Sequence, residues 1–123
     1  MFTSYTSEQV MTSDGNIYLL QYGSYISKEV MEENTKKLDD YFVYLEDDKY
    51  YVFLGAYTKI ENASKVSKIL EMNNLYTYIK NDYLGSSEVI KEIENLEKGM
   101  MEEDDNQKIL EINHKILEIL KKI

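Results

Sequence analysis

The chain repeats itself. Tyr22-Gly23-Ser24-Tyr25 aligns with Leu54-Gly55-Ala56-Tyr57, and at the same offset of 32 residues Leu38 meets Leu70 and Tyr44 meets Tyr76. Each copy reads as strand, glycine-containing turn, helix, strand. Two such units in tandem give the order βαββαβ. That order commonly closes as one four-stranded antiparallel sheet with both helices on one face, because a half-apolar sheet has to bury that face against something.

The elements follow from local chemistry. Ile17 to Tyr22 is rich in β-formers and is closed by Gly23-Ser24. Ser27 can cap a helix running to about Asp39, with Val30, Met31 and Leu38 as its apolar positions. Phe42 to Glu46 and Tyr50 to Leu54 read as strands joined by the polar turn Glu46-Asp47-Asp48-Lys49, and Gly55 stops the second of them. Thr58 and Glu61 fit a capping box ahead of a helix carrying Ala63, Val66, Ile69 and Leu70. Leu75 to Lys80 supply a fourth strand. The expected class is α+β: a ferredoxin-like βαββαβ domain over residues 17–84, with two helices on one face of a four-stranded antiparallel sheet. Residues 1–16, polar and ending at Asp14-Gly15-Asn16, read as a flexible segment or linker.

Residues 85–123 read as a C-terminal helical extension. Ser86 to Lys98 form a helix that Gly99 can end, and Asp104 with Gln107 can cap another from about Asp105 to Ile123. In that last helix Ile109, Ile112, Ile116, Ile119 and Ile123 recur at three- and four-residue spacing, widened by Leu110, Leu117 and Leu120. So broad an apolar face has to be covered. Three coverings are open: the domain itself, a second copy of the chain, or another protein.

Charge narrows the partners. The net charge is −9, and every basic residue is Lys. Nucleic-acid binding rests on cations neutralising phosphates, and an anionic membrane makes the same demand, so neither is an expected partner. With no Arg, no bidentate fork for carboxylate or phosphate is available. Zero Cys excludes disulfides, thiolate catalysis and zinc–thiolate sites. Glu46-Asp47-Asp48 and Glu102-Glu103-Asp104-Asp105 lack the ligand spacing of a calcium loop, and His114 has neither a second His nor a Cys to share a metal. No base sits beside a nucleophile and no glycine loop cradles phosphate. The reading is a non-catalytic module with no cofactor and no metal.

Strand side chains alternate between faces. Placing Leu20, Tyr22, Val52 and Leu54 under the helices turns Leu19, Gln21, Tyr51 and Phe53 to the open face, and with them Ser24, Tyr44, Tyr76 and Tyr78. Val43, Leu45, Leu75, Thr77 and Ile79 then face inward. Such an aromatic, amphipathic face suits a sugar chain. Pyranose C–H patches rest on rings, while Gln21 and Ser24 can exchange hydrogen bonds with hydroxyl or N-acetyl groups. Tyr is also a good strand former in cross-strand pairs, and that structural role alone accounts for many tyrosines in a sheet.

At Leu20-Gln21-Tyr22-Gly23-Ser24-Tyr25 the sequence resembles the opening of SPOR domains, and Leu54-Gly55-Ala56-Tyr57 is similar to the end of their third strand. The resemblance covers about residues 17 to 83. It departs at two points: an Arg that many members carry on the third strand is absent near Tyr51 and Phe53, and the Pro after the second glycine is Ala56. The resemblance implies a bacterial cell-envelope module acting in sporulation, cell division or wall remodelling. It would be carried outside the cytoplasm by an exported or membrane-anchored protein whose anchor is not in this sequence. It implies docking on peptide-stripped glycan strands of peptidoglycan across the helix-free face. The alternative function is protein interaction or oligomerisation through the Ile stripe of the last helix.

Overall fold

The computed structural model describes residues 15–122. Eight elements follow in order: β1 Asn16–Tyr25, α1 Lys28–Thr35, β2 Phe42–Glu46, β3 Lys49–Tyr57, α2 Ile60–Met72, β4 Tyr78–Tyr83, α3 Ser87–Lys98 and α4 Asn106–Leu120. The four strands form one antiparallel sheet in the order β2-β3-β1-β4. The class is α+β with a four-stranded antiparallel sheet and four helices. Of the first segment, residues 1–14 lie outside the described residues.

The β2–β3 hairpin turns on Asp47 and Asp48, both with positive φ (52° and 65°), which matches the right-handed twist of the flanking strands. The glycines behave differently from a strand-ending pair. Both lie inside strands, at places where the β1–β3 register shifts. From Gln21↔Phe53 to Leu19↔Ala56, β3 carries one extra residue; from Gln21↔Phe53 to Gly23↔Val52, β1 carries one. These are paired bulges that compensate each other, and each needs room. A Cβ on Gly23 would run into the Tyr25 hydroxyl, and one on Gly55 would stand 2.7 Å from Asn113 Oδ1.

The fourth strand is displaced as well. β1 pairs with β4 only as far as Gln21↔Tyr78, so Leu75 to Thr77 stay outside the ladder and the strand runs on to Tyr83. The expected Leu75–Lys80 strand is therefore displaced toward the C-terminus. Helix α1 is shorter than expected. It begins at Ser27, whose hydroxyl accepts from Val30 N at 3.2 Å, and ends at Thr35, whose hydroxyl donates back to Met31 O. Leu38 is buried just beyond it. Leu45 shares the inward face with Val43 and the buried Val52, as expected, yet is itself exposed.

Helices α1 and α2 both pack on β1 and β3, while α3 and α4 pack on each other and on β3. One continuous core joins Leu20, Val52, Leu54, Val66 and Leu70 to Ile93, Ile109, Ile116 and Leu117. The last two helices thus share the core of the sheet. Ser86 caps α3, and Asp105 caps α4 by accepting from Gln107 N and Lys108 N. The cap of α2 comes from elsewhere. No side chain at its own N-terminus serves, so the expected Thr58–Glu61 box does not form. Instead Glu97 of α3, 1% exposed, accepts from Thr58 N and Oγ1, Lys59 N and Asn62 Nδ2. A carboxylate at a helix N-terminus satisfies orphan amides and meets the positive end of the dipole.

Candidate functional site on the sheet face

Cross-strand partners share a face. The pairs Leu19↔Lys80, Gln21↔Tyr78, Gln21↔Phe53, Ser24↔Tyr51, Phe42↔Phe53 and Tyr44↔Tyr51 therefore set one continuous surface. Rings run along it. Phe42 stacks on Phe53 at 6.3 Å between centroids, and Phe53 on Tyr51 at 6.4 Å with planes 6° apart. Lys80 reaches from β4 over the top, its Nζ 4.9 Å from the Tyr51 ring centroid and 3.8 Å from Asp82 Oδ2. A cavity of about 280 Å³ opens on this surface, lined among others by Leu19, Phe42, Tyr44, Phe53, Lys80 and Leu120.

The surface is only partly open. Leu19 and Phe53 are 8% and 3% exposed. Leu120, at the end of α4, lies beside them in the same cavity. Both were expected to meet a ligand; the structure places them low in the cavity wall, with little surface of their own. Gln21 and Tyr51 remain half-buried, Ser24 is exposed, and Tyr44 and Tyr78 are 48% and 67% exposed. Tyr76 is exposed but precedes β4, outside the sheet. Phe42 and Lys80 join the site without having been singled out. Strand alternation from Tyr44 and Tyr78 carries the signal for both.

The stripe on α4 is used within the chain. Ile109 and Ile116 are fully buried, and Ile112 and Ile119 are partly buried against the same core. Ile123 lies outside the described residues. Of the three coverings left open for this stripe, the domain itself supplies one, through α3 and β3.

Two polar clusters lie away from the sheet face. Beyond Phe53, β3 has no β2 partner. The Leu54 carbonyl accepts from Asn113 Nδ2 at 2.9 Å, and the Tyr57 hydroxyl donates to Asn113 Oδ1. Burial, with the Glu97 charge adding to it, pushes the Tyr57 phenol well above its ordinary range. On the surface, Asp40, His114 and Glu118 bring their ligand atoms within 4.8 Å of one another, a spacing that could hold a metal ion. Their cation here is Lys121, which bonds Asp40 at 3.3 Å and Glu118 at 3.1 Å, while His114 Nδ1 stands 2.8 Å from Asp40.

No family model, no curated protein and no solved structure matches this chain. Among the described residues no helix is long and apolar enough to cross a membrane.

Proposed function

We propose that this chain is a non-catalytic carbohydrate-binding module that docks on peptide-stripped glycan strands of bacterial peptidoglycan. We read its βαββαβ order as ferredoxin-like, with the sheet face that carries Gln21, Tyr51 and Tyr78 as the binding side. Its setting is the extracytoplasmic envelope, in sporulation, cell division or wall remodelling, as part of an exported or membrane-anchored protein. The observation that carries this reading is the ring stack Phe42–Phe53–Tyr51, buried at Phe53 in its middle and half-exposed at Phe42 and Tyr51. A half-open ring beside an amide (Gln21), a hydroxyl (Ser24) and two exposed tyrosines offers what a pyranose chain needs: a flat apolar seat and polar groups at its rim. The resemblance at Gln21-Tyr22-Gly23-Ser24-Tyr25 supports the choice of glycan.

Co-sedimentation of the full chain with peptide-stripped and with intact peptidoglycan tests this. The stripped material should retain the protein and the intact material should not. Tyr51→Ala should cut retention about tenfold and Gln21→Ala about threefold, the scale of one lost ring contact and one lost hydrogen bond, with the circular-dichroism spectrum unchanged. Equal failure of the folded wild-type chain on both materials would refute the reading.

A further inference from the structure

The ring on which a sugar would rest is already occupied. Lys80 stands on β4, two strands from Tyr51 in the order β3-β1-β4, so its side chain crosses β1 to place the ammonium 4.9 Å above the Tyr51 ring. Asp82, on the same strand and face, holds that ammonium at 3.8 Å. The Lys80 side chain is 32% exposed, so its stem lies along the sheet rather than in solvent. A neutral sugar that stacks on Tyr51 has to push the ammonium off the ring and returns nothing to it. A sugar carrying a carboxylate beside the stacked ring returns a full negative charge, and the ammonium exchanges a ring face for a charge-assisted hydrogen bond.

We infer that Lys80 is a selectivity residue of this face, covering Tyr51 against neutral glycans and yielding it to glycans that bear a carboxylate, as muramic-acid glycans do. The inference rests on the glycan-binding reading above. Among the described residues Lys80 is the one basic side chain lining the cavity, where Glu46 and Asp82 also stand, so an acidic ligand finds its cation at Lys80 alone. The net charge of −9 opposes an acidic ligand at long range. At physiological salt that repulsion is screened beyond about 8 Å, which leaves the contact ammonium to decide. The same geometry gives a salt signature. Moderate salt should strengthen binding of the acidic glycan by damping the distant repulsion before it weakens the close ion pair.

The test is calorimetry of the full chain with two probes of equal length: peptide-free muramic-acid glycan oligomers and neutral N-acetylglucosamine oligomers. Wild type should prefer the acidic oligomer by about tenfold, the scale of one charge-assisted hydrogen bond. Lys80→Met, which keeps the apolar stem and drops the charge, should erase that preference. It should lower acidic affinity about tenfold and leave neutral affinity equal or about threefold higher, since the ring is bared. Lys80→Arg should keep the preference. In wild type the Lys80 ε-protons should resonate upfield under the Tyr51 ring and move downfield when the acidic oligomer binds. If wild type binds both oligomers alike and Lys80→Met changes neither, the Lys80 inference falls while the glycan reading stands. If wild type binds neither oligomer, both fall together.

Discussion

Replacing Glu97 by Ala should lower stability by about 3 kcal/mol or more, because several buried donors lose their acceptor at once. Thr58 N, Lys59 N and Asn62 Nδ2 all point at this one carboxylate, 2.8 to 3.2 Å away. The N-cap residue of α2, Lys59, makes no side-chain cap bond of its own. For a domain of about this size such a loss shifts the thermal midpoint by roughly 15 °C. Glu97→Gln tests the chemistry more finely. It keeps the volume, but its amide –NH2 must then face a backbone N–H, so one donor opposes another. The Gln variant should therefore recover only part of the loss seen with Ala. Thermal unfolding followed by circular dichroism reads both variants. A wild-type midpoint for Glu97→Ala would show that α2 does not depend on this carboxylate.

Asn113→Leu should cost about 2–4 kcal/mol, although it keeps volume and adds apolar surface. Asn113 is buried and bonds both the Tyr57 hydroxyl and the Leu54 carbonyl. Leucine removes both bonds. The cost of an orphaned polar group exceeds the gain from a satisfied pair, so removing the hydroxyl as well should help. The double variant Tyr57→Phe/Asn113→Leu should therefore be less unstable than the sum of the two single changes, by about 1 kcal/mol or more. Chemical denaturation of the four proteins in the cycle measures that coupling. Strict additivity would mean that the Tyr57–Asn113 bond is not formed in solution.

Much of the frame could be read from the chain. The repeat around Gly23 and Gly55 set the order of strands and helices, the cap at Ser27 marked a true helix start, and the cap expected at Asp104 falls one residue later, at Asp105. What stayed hidden depends on long-range contacts. A bulge adds one residue with no change in local composition, so neither the continuation of β1 through Gly23 nor the shift of β4 toward Tyr83 was visible. Thr58 and Glu61 carry a local capping signature, yet a carboxylate 39 residues from Thr58 does the capping. For the sheet face, alternation assigned the right companions to Gln21 and Tyr51. Leu19 and Phe53 are buried beside the end of α4, a neighbour that strand alternation cannot reveal. The Ile stripe announced that it needed cover and left the covering surface open. The structure supplies it from α3 and β3.

Residue-resolved NMR titration of the full chain with peptide-free muramic-acid glycan oligomers addresses the sheet face most directly. The expected shifts are grouped on Gln21, Ser24, Tyr44, Tyr51, Tyr78 and Lys80, with α2 silent. Shifts confined to α2 and α4, or none at saturating oligomer, would contradict it.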